Sequence, residues 1–445
     1  MRTRLLDIVM RHAVAGTVSV LFLRGLTLAS RFLLSLLLAR MLSPAEMGQY
    51  GILTAALAFA LLGIGLEFYT FTLREMVAAT PVGQARIIAN QIALGTAALI
   101  VVGILVLIIV LTGIFPSRLA PWFFLILITE HVSLEATRFL IISSRPVRAY
   151  LGIFLRGGIW VYALAILMYT EPSSRTLEAV LIWWIGGGSA SIILSAISLS
   201  DLPWRELKGF RPDWKMIVAG LHTARPFMLT AIGASTISYV DRFVIDDFLG
   251  KDALGIYTFY STILIGLLSL GGAISHQFLP GIISGYSTSQ NAFRMALRSF
   301  FRSLIIVAAA STIISGLAMA PTLNLLGLPA YESNVWLFYA MLPGVFLRIV
   351  ADVPSYALYA ARSDKYLMYC NLGAALISTL LNVVLIPIFA LYGAALAGAI
   401  TGALLLASLT FSALRKIDSV RGKPTGTRFD LLATGPDTLV PRDTK

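Results

Sequence analysis

The chain has 445 residues, 58% of them hydrophobic and 13% charged, with a mean hydropathy of +0.85. That excludes a soluble globular domain of this length, which would carry far more charge, and indicates a chain whose solvent is hydrocarbon. The net charge of +12 reads as membrane topology plus attraction to anionic head groups, and gives no reason to invoke nucleic acid.

A span needs ~20 apolar residues to cover ~30 Å of hydrocarbon. Twelve stretches qualify, predicted at 17–42, 50–72, 88–114, 120–142, 149–169, 177–199, 224–248, 254–279, 301–321, 334–359, 366–389 and 391–413. The first is not a cleavable signal peptide, because Arg24 and Arg31 interrupt any apolar h-region. With the N-terminus inside, about 24 Lys and Arg fall in the cytoplasmic segments, counting Arg225 and Arg302 at the start of their spans. Only Arg118, Arg175 and Lys251 fall outside. This positive-inside asymmetry predicts cytoplasmic termini in a cytoplasmic (inner) membrane.

The longest polar interruption, from Asp201 to about Arg225, divides the chain. The expected organisation is an N-terminal six-helix bundle (1–200), a cytoplasmic linker (201–223), a C-terminal six-helix bundle (224–413) and a disordered cytoplasmic tail (414–445). Trp204, Phe210 and Trp214 suit an amphipathic connector at the membrane surface. The halves repeat at an offset of 207: LLARMLSPAEMGQYGILTA (37–55) falls on VIDDFLGKDALGIYTFYST (244–262), matching Leu42 with Leu249, Gly48 with Gly255 and Tyr50 with Tyr257. An even number of spans per half makes these parallel repeats, with a cavity expected between the bundles.

Five arginines fall at membrane depth. In the first span Thr17, Arg24, Arg31 and Ser35 form one stripe, with no acidic partner in that stretch. Inserting two arginines costs roughly 5–7 kcal/mol against about 4–8 returned by the apolar residues, so the stripe must face protein or water. Span four carries Glu130, His131, Glu135 and Arg138, span five Arg156, and span ten Arg348, Asp352, Ser355 and Tyr359. Arg138 with Glu135, and Arg348 with Asp352, are spaced to neutralise each other within one helix. Arg24, Arg31, Arg138, Arg156 and Arg348 are the candidate anion-binding set, since guanidinium forks match phosphate oxygens. Glu67, Glu130, Glu135 and Asp352 are candidates for relaying a proton or binding sodium. Asp241 and Arg242, near the outer end of span seven, read as turn anchors. The runs Gly186-Gly187-Gly188 and Ala394, Gly398, Gly402 read as close helix-packing surfaces. One cysteine, Cys370, and four scattered histidines build neither a disulfide nor a metal site.

Three pieces resemble the Wzx-type oligosaccharide and polysaccharide flippases of the MOP (MATE-like) superfamily: LLARMLSPAEMGQYGILTA, YVDRFVIDDFLGKDALGIYTFYSTI and NVVLIPIFALYGAALAGAI, the last with Asn382, Pro387, Gly393 and Ala394 in place. Leu396 stands where that family usually has a second glycine. The resemblance implies an all-α fold of two six-helix bundles that alternate access around a cationic cavity. It also implies translocation of a polyprenyl-pyrophosphate-linked glycan to the outer leaflet, for cell-surface polysaccharide biosynthesis. Expected partners are membrane lipid, that glycan and other polysaccharide-assembly membrane proteins. No cofactor is implied. The family's coupling to an ion gradient leaves proton, sodium or neither open here, and no P-loop motif supports direct use of ATP. The alternative of the same architecture is a MATE-like drug or metabolite exporter driven by an ion gradient, whose cationic drugs unpaired Arg24 and Arg31 would repel. An enzyme acting on lipid-linked sugar is disfavoured, because the external loops are too short for a catalytic site.

Overall fold

The computed structural model describes residues 2–113 and 115–420. Among them there is no strand. The helices in chain order are α1 (Arg2–Met41), α2 (Pro44–Gly65), α3 (Tyr69–Ala78), α4 (Pro81–Leu111), α5 (Ala120–Ile142), α6 (Pro146–Phe154), α7 (Trp160–Thr170) and α8 (Leu177–Ser198). They continue with α9 (Trp214–Thr288), α10 (Gln290–Leu326), α11 (Pro329–Glu332), α12 (Val335–Val350), α13 (Asp352–Ala360), α14 (Asp364–Phe389) and α15 (Leu391–Val420). Ten helical runs are long and apolar enough to cross a membrane. The 75-residue α9 is broken at Gly250, which sits at φ 81°, and so counts as two arms. The 23-residue α5 is also long enough, its hydropathy lowered by Glu130, His131, Glu135 and Arg138. The described residues therefore give twelve crossings.

Local chemistry sets the boundaries. Span two, predicted at 50–72, lies earlier. Ser43 and Glu46 close a reciprocal capping box with Pro44 in the first turn, so α2 starts at Pro44. It stops where Leu66 and Glu67 both take left-handed backbone, φ 49° and 52°, and the chain turns into the separate α3. Thr80 and Ser289 cap α4 and α10, which likewise begin ahead of their predicted spans. Asp213 caps α9, so a helix starts at Trp214 inside the segment expected to be linker. Of the expected tail, residues 414–420 extend α15, and 421–445 lie outside the described residues.

An even number of crossings puts both ends of the described chain on one side of the membrane, the terminal face. The turns at 42–43 and 250 lie on the far face. There the two repeat copies pack on each other. A Cβ on Gly48 would overlap the Lys251 carbonyl, and one on Gly255 would overlap the Pro44 carbonyl. At an offset of 207 these two contacts are the same contact exchanged. Gly51 against Thr258 maps onto itself, so the pseudo-two-fold axis runs through this crossing of α2 and α9. The helices approach this closely because both copies carry glycine there. Elsewhere Gly344 receives Gly398 and Gly402, while Gly187 and Gly188 receive Trp160 and Thr129. Both predicted small-residue runs are thus packing surfaces.

Candidate functional site: a cationic cluster inside the N-terminal bundle

Arg31 sits about 15 Å from the far end of α1, at mid-depth. Val18 and Phe22, 59% and 63% exposed, mark the lipid side of α1, and Arg31 stands about 140–180° round the helix from them. Its own exposure is therefore to the interior. Among the described residues the Arg31 side chain makes no hydrogen bond or ion pair, and its guanidinium lies against Gly157.

Arg156 is also about 15 Å inside the membrane, counted from Pro146. It sits on a π-helical turn, Leu155–Ile159, that joins α6 to α7. The wider turn frees backbone groups and re-aims side chains, a device frequent at functional sites. Trp160 Nε1 donates to the Arg156 carbonyl at 2.8 Å and steadies the turn. The Arg156 side chain is 11% exposed, and its Nε lies 3.7 Å from Glu130 Oε2, a charge pairing beyond hydrogen-bond length. Its Nη1 is buried without a partner. Glu130 is held from the other side, where Trp184 Nε1 donates to Oε1 at 2.7 Å. Tyr50 packs on Trp184 with ring centroids 6.0 Å apart. Four helices thus bring Arg31, Glu130, Arg156 and Trp184 together.

The other predicted residues lie apart from this cluster. Arg24 is about 25 Å from the far end of α1. It donates to the Tyr150 hydroxyl and lies 4.5 Å over that ring. Arg138 pairs with Glu135 at 2.6 Å and stacks 3.9 Å over Tyr69. Gln91 donates to the second Glu135 oxygen, and Glu67 stands beside this network at the α2–α3 corner. Arg348 and Asp352 do not pair: Arg348 donates to Ser238 at 2.7 Å, and Asp352 accepts from Ser275 at 2.7 Å. Arg348 lines a C-terminal-bundle cavity of about 70 Å³ together with Ser238, Asp241, Tyr257 and Ser261.

Asp241 anchors the Gly250 turn locally, accepting from Tyr257 across it. Arg242 does more than the sequence suggested. It is 2% exposed and reaches into the other bundle, donating to Thr54 Oγ1 at 2.7 Å and the Gly51 carbonyl at 3.3 Å. Arg40 adds a second tie, from the end of α1 to the Leu326 carbonyl of α10. Glycine crossings and arginine ties thus join the two bundles on the far side. Sequence reasoning missed Trp184 and Tyr50 as site residues. Their one visible signal was polar-tipped aromatics within apolar runs, and the Arg-Gly-Gly of the π turn was a second overlooked mark.

No family model and no curated protein matches this sequence. Solved structures do. An inward-facing multidrug resistance MATE family transporter of the MOP superfamily superposes with TM-score 0.70 at 11% identity, covering 90% of this chain and 99% of that one. The lipid II flippase MurJ in an inward closed conformation gives 0.67 at 14%, covering 92% and 90%. An outward-facing MATE transporter gives 0.61 at 12%, covering 91% and 99%. The all-helical arrangement of two parallel-repeat bundles in this chain is accordingly the fold of MOP-superfamily transporters.

Proposed function

We propose that the protein is a flippase that carries a polyprenyl-pyrophosphate-linked oligosaccharide across the cytoplasmic membrane, with its terminal face in the cytoplasm. The observation that carries this reading is the pair Arg31 and Arg156: two guanidiniums at mid-depth with donors unused, one open to the interior. Two adjacent cations with free forks suit the two linked phosphates of a pyrophosphate. The glycan would occupy the wet space between the bundles, and the prenyl chain would stay in lipid. Closure at the far side and loading from the terminal side give the first half of an alternating-access cycle, completed when the Gly48 and Gly255 crossings part. Neighbouring polysaccharide-assembly proteins would supply and receive the cargo.

The test is reconstitution in liposomes with a fluorescent polyprenyl-pyrophosphate glycan, following its movement between leaflets under imposed proton and sodium gradients. Movement by the wild type, and its loss in a folded Arg31→Gln/Arg156→Gln variant, is the expected result. Movement undiminished in that variant would overturn the site. A second reading, a small-molecule exporter, is favoured by the likeness to the MATE transporter structure. The charge of the cluster then selects anionic cargo. Transport of a water-soluble organic anion, with no movement of the glycolipid, would establish that reading instead.

A further inference from the structure

The Glu130 carboxylate is placed oddly for an ordinary salt bridge. One oxygen takes a strong hydrogen bond from Trp184, at 2.7 Å. The other faces Arg156 Nε at 3.7 Å, near enough to lower the electrostatic energy and too far to hydrogen-bond. Arg156 Nη1 stays buried without a partner. A carboxylate evolved only to neutralise Arg156 would close on it as a fork, as Asp201 does on Arg145 at 2.8 and 2.5 Å. With one oxygen committed to Trp184, Glu130 does not reach that geometry, and the second cation, Arg31, is left without any ion pair of its own.

Resting on the reading that Arg31 and Arg156 take up a pyrophosphate, we propose that Glu130 is the resident counter-anion of the empty site, exchanged for the substrate's phosphates on loading. In the empty protein it keeps Arg156 from standing as an isolated buried charge, whose desolvation would be costly. Because the carboxylate is not hydrogen-bonded to the guanidinium, an incoming diphosphate breaks no bond to reach Nε and Nη1. Glu130 stays tethered to Trp184 and resumes its place as the cargo leaves. The exchange weakens capture and speeds release, so that a site with two arginines does not trap its cargo.

The experiment measures binding of inorganic pyrophosphate to the purified full-length protein by calorimetry, with the fluorescence of Trp184 followed as wild type minus Trp184→Phe. Glu130→Gln keeps an acceptor for Trp184 and removes the competing charge. Its affinity should rise at least tenfold while glycolipid transport slows. In an Arg156→Gln background the same substitution should not restore binding. Trp184→Phe releases Glu130 toward Arg156 and should weaken binding severalfold, an independent arm should Glu130→Gln fold poorly. Weaker or unchanged binding in Glu130→Gln, with wild-type binding intact and lost in Arg156→Gln, would overturn the exchange and leave the arginine pair standing. Failure of the wild type to bind pyrophosphate at millimolar concentration would overturn both.

Discussion

The two bundles descend from one sequence pattern, yet they treat buried charge in opposite ways. Tyr50 and Tyr257 occupy equivalent places in the repeat, and each points into the polar centre of its own bundle. In the C-terminal bundle Tyr257 meets Asp241, Arg348 takes Ser238, and Arg242 places its two Nη groups on Thr54, Gly51 and Ser261, with its Nε left buried and unpartnered. That centre is largely closed on itself around about 70 Å³ of space. In the N-terminal bundle Tyr50 meets Trp184, Trp184 donates to a Glu130 that stops 3.7 Å short of Arg156, and the Arg31 guanidinium has no hydrogen-bond partner among the described residues. Polar groups satisfied within the protein hold a structure together, while groups left wanting await a ligand. On the function proposed above, the N-terminal half binds the cargo and the C-terminal half serves as frame.

The largest test replaces arginines on the two sides of this divide. Arg31→Gln/Arg156→Gln should abolish glycolipid capture. Charge-assisted hydrogen bonds are worth about 1.5–3 kcal/mol each, so losing two or more lowers affinity on the order of a hundredfold or beyond. Some thermal stability should be lost as well, since Arg156→Gln leaves the largely buried Glu130 without its counter-charge. Arg348→Gln should leave affinity within a few-fold and lower the melting temperature instead. If Arg348→Gln abolished binding in a fully stable protein, the division of labour would be wrong, and the C-terminal cavity would belong to the substrate path.

Arg242→Met comes next. It strips a buried cation from Thr54, Gly51 and Ser261, and should cost about 2–4 kcal/mol, less whatever the desolvated charge itself cost. Because two of those partners lie in the other bundle, the loss should fall on the far-side seal. A cysteine placed at Gln49 should become more reactive to a membrane-impermeant thiol reagent added from the far side, in a background with Cys370 replaced. Unchanged labelling together with a lowered melting temperature would make Arg242 a purely local support.

The pseudo-symmetric glycines give a smaller and sharper test. Gly48→Ala and Gly255→Ala each push a methyl into a carbonyl of the opposing copy, and overpacking of that kind costs typically about 1–3 kcal/mol. Because the two contacts exchange under the repeat, their effects on melting temperature should be similar. A large inequality would mean that the crossing is held by its arginine ties rather than by the close approach of α2 and α9.

The sequence carried the fold further than the site. Apolar runs, the 24-to-3 basic asymmetry and the repeat at 207 are properties of single segments, or of segments compared in register, so they can be read without coordinates. The start of α2 was legible too, in Ser43, Pro44 and Glu46, although apolar content alone had placed the span later. Trp184 and Glu130 are 54 residues apart, and Arg348 and Ser238 are 110 apart. Which of them meet depends on how each helix is rotated about its axis, and tertiary packing sets that rotation. Spacing within one helix was a fair guide for Arg138 and Glu135. For Arg348 and Asp352 it pointed to a pair that the packing separates, because each finds a serine on α9. The π turn under Arg156 shifts the helical phase partway along a span, which no fixed period of 3.6 residues reveals.

The smallest effect tests whether the frame of the N-terminal site can be loosened from outside the membrane. Arg145 precedes α6 and forks onto Asp201, just after α8, also reaching the Ser198 carbonyl. The tie therefore joins the helix that leads to Arg156 with the helix that carries Trp184. The Arg145 hydrogen bonds hold the Asp201 carboxyl below its ordinary range, and the same pairing raises Arg145. A carboxyl depressed in the folded state contributes stability that is fully present above its unfolded value of about 3.9. That contribution is lost as pH falls through the folded value. Asp201→Asn should therefore flatten the melting-temperature profile below about pH 4 and leave it nearly unchanged at neutral pH, since exposed pairs are weak there. If Asp201→Asn also weakened pyrophosphate binding at neutral pH, the spacing of α6 and α8 would be what holds Glu130 off Arg156. An unchanged affinity would assign that spacing to Trp184 alone.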